Sequence, residues 1–258
     1  MKLLKNLRQK FITNKRLNNY AFYAVGEVTL LVIGILIALY FSNLNVKNSN
    51  TKKEIWYLDN IANDMFYQKQ ALLENNINCE FYLLATEELI IQYNQDQAFL
   101  NMDSLSIGLN QLMTPLSYPN INNTYSELLS SGQVFLIENE DVLIDIIDFY
   151  LHIKEENAMF SAYRNEEFYR LISPVFYKYT QVSIQNTDKI EKLNTKDNSI
   201  DLYIQNTLKN PKHKLELVNA LKNYWVILTN QKEILDFRLK ECDKMIKMID
   251  KEIARLNS

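Results

Sequence analysis

The chain has 258 residues but only four glycines and four prolines, where average usage would supply about 18 and about 13. A phosphate-cradling loop needs clustered glycines and an all-β fold needs repeated tight turns, so both are excluded and a helix-rich chain remains. The net charge is -3, from 28 basic and 31 acidic residues. Residues 1–20 carry Lys2, Lys5, Arg8, Lys10, Lys15 and Arg16 and no acid, which leaves 22 basic against 31 acidic residues for 21–258, a net of -9. An acidic body excludes the basic face that nucleic-acid phosphates require. Two cysteines, Cys79 and Cys242, are too few for a disulfide scaffold. They read as buried thiols packing like small apolar side chains, with one long-range bridge as the alternative.

Residues 1–19 form a basic head, and 20–44 hold the chain's long apolar run. Ala21 to Phe41 contains one charge, Glu27, and as a helix of ~1.5 Å rise per residue it spans about 31 Å, the thickness of a hydrocarbon core. Its twelve or so Leu, Ile, Val and Phe residues favour insertion by about 5 kcal/mol, against about 2.5 kcal/mol for a central carboxylate and less for the off-centre Glu27. The six preceding cations predict a cytoplasmic N-terminus and an extracytoplasmic body. A cleavable signal peptide is the rival, but the run is long and no A-x-A site follows. Ala24, Glu27, Leu31, Gly34 and Ala38 share one face, and Gly34-x-x-x-Ala38 is a small-x-x-x-small pair that permits close helix contact. Ala24, Glu27, Gly34 and Ala38 are therefore the candidate contact face for self-association or for another envelope protein. The competing explanation is that small residues are common in membrane helices and that Glu27 reaches the headgroups.

Tyr23-Ala24-Val25-Gly26-Glu27-Val28, running into Leu31-Val32-Ile33-Gly34-Ile35-Leu36-Ile37-Ala38-Leu39, and the separate Thr124-Tyr125-Ser126-Glu127-Leu128-Leu129-Ser130-Ser131-Gly132 resemble an uncharacterised bacterial single-pass membrane-protein family, a domain of unknown function. The resemblance covers nearly the whole chain. It implies a Gram-negative inner-membrane setting and brings no activity. The family tends to have Gln and then an Asn-Trp pair after the position of Leu39, where this chain has Tyr40, Phe41 and Leu44.

The body, 45–258, reads as all-α. Residues 54–93 predict one long helix with Leu58, Met65, Leu72 and Cys79 every seven residues, interleaved with Ile55, Ala62, Leu83 and Ile90, and no Gly or Pro interrupts 45–107. Asn101 or Asp103 caps a short helix ending near Met113. Pro115 to Asn123 is a loop. Thr124 and Glu127 form a capping box, and Gly132 ends that helix as a C′ glycine, so the candidate structural motif is Thr124, Tyr125, Glu127 and Gly132. Asn139 caps a helix with apolar face Leu143, Ile146, Ile147, Tyr150 and Ile153 that stops before Pro174. Residues 183–199 are polar, a surface loop or a frayed helix. Pro211 opens the last helix, where Leu221, Leu228, Leu235, Cys242, Ile249 and Leu256 form one heptad seam and Val218, Trp225, Leu239, Ile246 and Ile253 a second, broken at Lys232. Pairing the two long helices as an antiparallel hairpin sets residue 256 beside about residue 52 and Cys242 beside about residue 66. An intermolecular coiled coil is the alternative use of the stripe.

Chemistry-bearing constellations are sparse. Asp148, His152 and Glu156 make an i, i+4, i+8 ladder, but a di-iron bundle site needs Glu-x-x-His on two helices, and neither H-E-x-x-H, C-x-x-C nor G-x-S-x-G occurs. Tyr163, Tyr169, Tyr177 and Tyr179 suit core and rim packing better than a peptide or glycan groove. The expectation is an all-α chain: a transmembrane helix followed by an antiparallel helical bundle with long coiled-coil-like helices. We expect a non-enzymatic, membrane-anchored interaction or scaffold protein, with no catalytic, cofactor or metal residues and with the lipid bilayer, itself or an envelope protein as partner. Ligand sensing through a partner, or a metal-dependent enzyme centred on His152, are the alternatives.

Overall fold

The computed structural model describes residues 15–184 and 197–258, with side chains from Ala24 onward. Most of the basic head and of the polar stretch 183–199 lies outside the described residues, which are helical with no strand. The elements are α1 (Lys15–Asp96), α2 (Met102–Gln111), α3 (Asn123–Ser130), a 3-10 turn (Val134–Leu136), α4 (Glu140–Ala162), a π-helix (Tyr163–Ile172), α5 (Ser173–Lys178), α6 (Asn198–Leu208) and α7 (Pro211–Leu256). The chain divides into two compact units, 1–56 and 57–258.

In the first unit the apolar part of α1 is long and apolar enough to cross a membrane. Its 18-residue window reaches a mean hydropathy of 2.3, and none of that window is buried within the chain.

In the second unit, α1 and α7 lie side by side. Lys69 donates to Asp243 at 2.6 Å, Asn76 to Asp236 at 2.8 Å, Trp225 to Glu87 at 2.9 Å and Lys214 to the Gln97 carbonyl at 3.0 Å. The numbers of the first three pairs add to 312 and of the fourth to 311, so the helices run antiparallel along this stretch. The hairpin drawn from the heptads adds to 308, one helical turn away. Both thiols are free and buried, and Cys79 donates to the Leu228 carbonyl at 3.3 Å.

The first heptad series is buried on both helices, with Leu58, Met65, Leu72 and Cys79 on α1 and Leu221, Leu228, Leu235, Cys242 and Ile249 on α7, except at its last member, Leu256, which is half-buried. The second series is one residue off. Val218 is buried, but Trp225, Leu239, Ile246 and Ile253 are half-buried, whereas Leu217, Tyr224, Gln231, Arg238, Met245 and Glu252 are buried. On α1, Ile55, Ala62, Leu83 and Ile90 are likewise half-buried, while Ile61, Gln68 and Leu89 are buried. Apolarity favoured the wrong neighbour because Gln68 and Arg238 are satisfied by other elements, although the buried Tyr224 hydroxyl has no hydrogen-bond partner among the described residues. Gln68 donates to the Pro119 carbonyl at 2.8 Å and accepts from the Ile121 amide at 2.8 Å, and Arg238 meets Glu156 of α4. A buried polar group with partners loses its penalty.

Two local expectations fail for tertiary reasons. Helical structure does not stop at Ser173 but continues through the π-helix to Lys178. Pro174 sits in the first turn of α5, where no amide donor is needed. Phe168 and Phe176 stand 5.3 Å and 6.0 Å from the Tyr224 ring, and this burial outweighs the local bias before proline. On α4 the buried face includes Val142 and Phe149 with Ile146, Tyr150 and Ile153, while Leu143 and Ile147 are half-buried.

Gly108 is buried where α2 crosses α1, and a Cβ there would stand 2.9 Å from Leu89 Cδ1. Close helix approach is the reason for this glycine.

Candidate functional site

Ala24, Glu27, Gly34 and Ala38 lie on α1 and are exposed, and a Cβ added at Gly34 meets nothing within 4 Å. At about 100° per residue they share one side of the helix.

In the Thr124–Gly132 motif, Thr124, Tyr125 and Gly132 have structural roles, whereas the Glu127 side chain is exposed. The capping box does not form: α3 starts at Asn123, its N-cap is Asn122 with no side-chain capping bond, and Glu127 is exposed. Thr124 instead donates its backbone amide to Asp64 Oδ2 at 2.8 Å, a carboxylate on α1 taking the role that a cap would fill. Tyr125 stacks on Tyr150 with centroids 4.4 Å apart. Gly132 adopts φ 68°, its amide reaching the Leu129 carbonyl at 3.1 Å and that of Gln133 the Leu128 carbonyl at 3.1 Å. This is a Schellman ending.

The ladder on α4 separates. His152 is exposed and pairs with Glu155 at 3.4 Å. Glu156 turns inward, where Arg238 grips it through Nη2 at 2.6 Å and Nε at 3.0 Å and the Tyr118 hydroxyl donates to it. The Arg238 and Glu156 side chains are only 4% and 14% exposed, and the Arg238 guanidinium lies 5.6 Å from the Phe149 ring centroid. Burial, with the bond to Glu156 next, pushes the Tyr118 hydroxyl well above the usual tyrosine range. Among the described residues no group of three or more His, Cys, Asp or Glu side chains is placed to hold a metal.

A second polar cluster, not singled out from the sequence, joins α5 to α7. Glu216 accepts from Lys178 at 2.7 Å and from the Tyr179 hydroxyl at 2.6 Å, and His213 Nδ1 is 2.9 Å from that hydroxyl. Because Tyr179 donates to Glu216, its oxygen accepts from His213, which assigns the imidazole proton to Nδ1. Bonds from Lys178 and then Tyr179 lower the Glu216 carboxyl to about 2, and burial, then Glu216, raises Tyr179 to about 12. Both shifts run away from neutrality, opposite to the tuning of a general acid or base. The cluster clamps α5 onto α7. Pro174 and the polar linker hid it, since neither suggests that Lys178–Tyr179 return to the start of α7.

Among the described residues, the surface of the second unit includes the following clefts. One, about 680 Å³, is lined by Asn101, Asp103, Asn198, Asp201 and Gln205 with Leu100 and Leu202. The other, about 380 Å³ and mainly apolar, lies between α1 and α7 and is lined by Glu87, Ile90, Ile91, Lys222, Trp225 and Val226. It adjoins a row of exposed apolar side chains on α1 that includes Phe81, Leu84 and Ile91.

No family model matches the chain, nor does any curated protein or solved structure.

Proposed function

We propose that the chain is a single-pass membrane protein whose helical body is an interaction module of a bacterial inner membrane. The observation that carries this reading is the apolar window of α1, which has a mean hydropathy of 2.3 and no buried residue. Soluble chains rarely leave so large a contiguous apolar surface uncovered, and a bilayer would cover it. Six cations before the window favour a cytoplasmic N-terminus, and the body is then extracytoplasmic. The resemblance of the anchor and of the Thr124–Gly132 segment to a bacterial membrane family supports the same setting. The antiparallel contacts between α1 and α7 support an antiparallel bundle for the body. The polar clusters are consistent with an interaction role: each is a clamp between helices, and the Glu216 and Tyr179 shifts run away from acid–base work.

Within the membrane, the face of Ala24, Glu27, Gly34 and Ala38 serves helix contact, because small residues permit close approach and a carboxylate favours protein over lipid. Crosslinking in membranes, affinity purification of the full chain and mass spectrometry test the reading. The expected result is a carbonate-resistant membrane protein recovered with specific partners or with itself. Gly34→Ile and Glu27→Ala should reduce those adducts. Extraction by carbonate would overturn the anchor, and recovery of the chain alone would overturn the interaction role.

A further inference from the structure

On α1 within the second unit, Phe66, Leu73, Ile77, Phe81, Leu84 and Ile91 all point to solvent, Ile77 at 63% and Leu84 at 60% exposure. At about 100° per residue they fall within roughly 80° of one another and run for about 37 Å. Ile77, Leu84 and Ile91 repeat every seven residues, as do Phe66 and Leu73. This stripe lies away from the face that buries Leu58, Met65, Leu72 and Cys79, so α1 carries a further apolar stripe that the described residues leave exposed. Together the six side chains expose roughly 600 Å² of mainly apolar surface, close to the ~800 Å² per partner of a standard stable interface. At its C-terminal end lies the apolar cleft of about 380 Å³ between Ile90, Ile91, Trp225 and Val226, a seat for one anchoring side chain.

We propose that this stripe docks an amphipathic helix of another protein whose apolar heptads are flanked by Lys or Arg. This rests on the interaction-module reading and names its surface. Charge selects the occupant. Glu74, Glu80 and Glu88 are exposed and border or interrupt the stripe. Of the nearby cations, Lys69 is held by Asp243 at 2.6 Å, and Lys232 is shared between Asp236 at 3.1 Å and Glu80 at 3.7 Å, so Glu80 is partly answered and Glu74 and Glu88 carry most of the border charge; Lys222 stands at the cleft. A second copy is a poor occupant. Parallel pairing sets Glu74, Glu80 and Glu88 against themselves, and antiparallel pairing about Ile77 sets Glu74 against Glu80, like charges in either case. The acidic border also repels anionic lipid headgroups. A helix with basic flanks meets each acid with a cation and each apolar position with a knob.

The test uses the full chain in its native membrane, with photoreactive benzoylphenylalanine replacing Phe81, and with Lys244 carrying it as the off-stripe control. The adduct is digested and the crosslinked peptide sequenced. The proposal expects a foreign peptide with apolar residues in heptad order and Lys or Arg beside them. Its yield should fall roughly tenfold or more with Ile77→Asp and Leu84→Asp, and similarly with Glu74→Lys, Glu80→Lys and Glu88→Lys combined. These positions are exposed, so folding is expected to persist, and circular dichroism verifies it. Adducts to the same chain, to lipid only, to a peptide with acidic flanks, or none at all overturn the proposal. The membrane pellet is scored separately: a chain that stays in the pellet without an adduct refutes the docking stripe and leaves the anchor standing.

Discussion

Glu156→Ala tests whether the core is held by a desolvated ion pair. It removes both oxygens gripped by Arg238 at 2.6 and 3.0 Å and the acceptor of the Tyr118 hydroxyl. The Arg238 side chain is 4% exposed, so water cannot replace the lost partner, and an uncompensated buried charge costs about 3–5 kcal/mol. The orphaned Tyr118 hydroxyl adds about 1–3 kcal/mol if it finds no other acceptor. Against a usual total of about 5–15 kcal/mol, the loss is a large fraction of stability. Replacing all three members by apolar residues of similar shape, Glu156→Leu with Arg238→Met and Tyr118→Phe, removes the charges together and should recover most of it, within about 1–2 kcal/mol of wild type. Denaturant unfolding of the full chain in detergent, followed by circular dichroism, measures both variants. A Glu156→Ala cost below about 1 kcal/mol would mean the pair is solvated like a surface bridge. A triple variant as unstable as the single one would mean packing, not orphaned charge, carries the effect.

Gly132→Ala should lower stability by about 1 kcal/mol through backbone strain alone, because its φ is 68° and no atom lies within 4 Å of the new Cβ. Gly108→Ala should also lower it, by about 1 kcal/mol net of improved helix propensity, but by collision with Leu89 at 2.9 Å, so a double-mutant cycle with Leu89→Val shows coupling at Gly108 and none at Gly132. Burial raises both the Cys79 and Cys242 thiols to about 12, so thiol-reactive reagents at neutral pH should label neither until the chain is unfolded; labelling of the native chain refutes their burial. Glu216 is depressed from 4.5 to about 2 by Lys178 and Tyr179. Its stabilisation is present above the unfolded value and is lost as pH falls from about 4.5 to about 2; with a side chain 35% exposed it amounts to under about 1 kcal/mol. Glu216→Gln should flatten that acid limb and leave stability near pH 9 lower than wild type.

Scarce glycine and proline, heptad spacing and short-range caps made the elements legible. Asn101 accepts from the Ser104 amide at 3.0 Å and Asn139 from the Val142 amide at 3.5 Å, each an interaction within three residues that needs no tertiary partner. The membrane-length run is legible for the same reason, since length and hydropathy are properties of contiguous residues. The candidate sites were less legible. Thr124 looked like an N-cap because its partner on α1, Asp64, is 60 residues away, and the cluster of Tyr179, His213 and Glu216 drew no notice because its members lie on either side of a polar stretch.

The residues by themselves determined that the chain is helical, where most helices begin, and that one seam of each long helix turns inward, because backbone propensity and side-chain periodicity act over a few turns. Only the tertiary structure decided which of two adjacent seams is buried second, since the cost of burying Gln68, Arg238 or Glu252 depends on partners supplied from elsewhere. Gln68 finds the loop carbonyl of Pro119, Arg238 finds Glu156, and Glu252 accepts from Asn139 at 2.9 Å. It also decided the register of α1 against α7, one turn from the heptad estimate, because side chains seven residues apart match equally well at several offsets and the ties Lys69–Asp243, Asn76–Asp236 and Glu87–Trp225 select one.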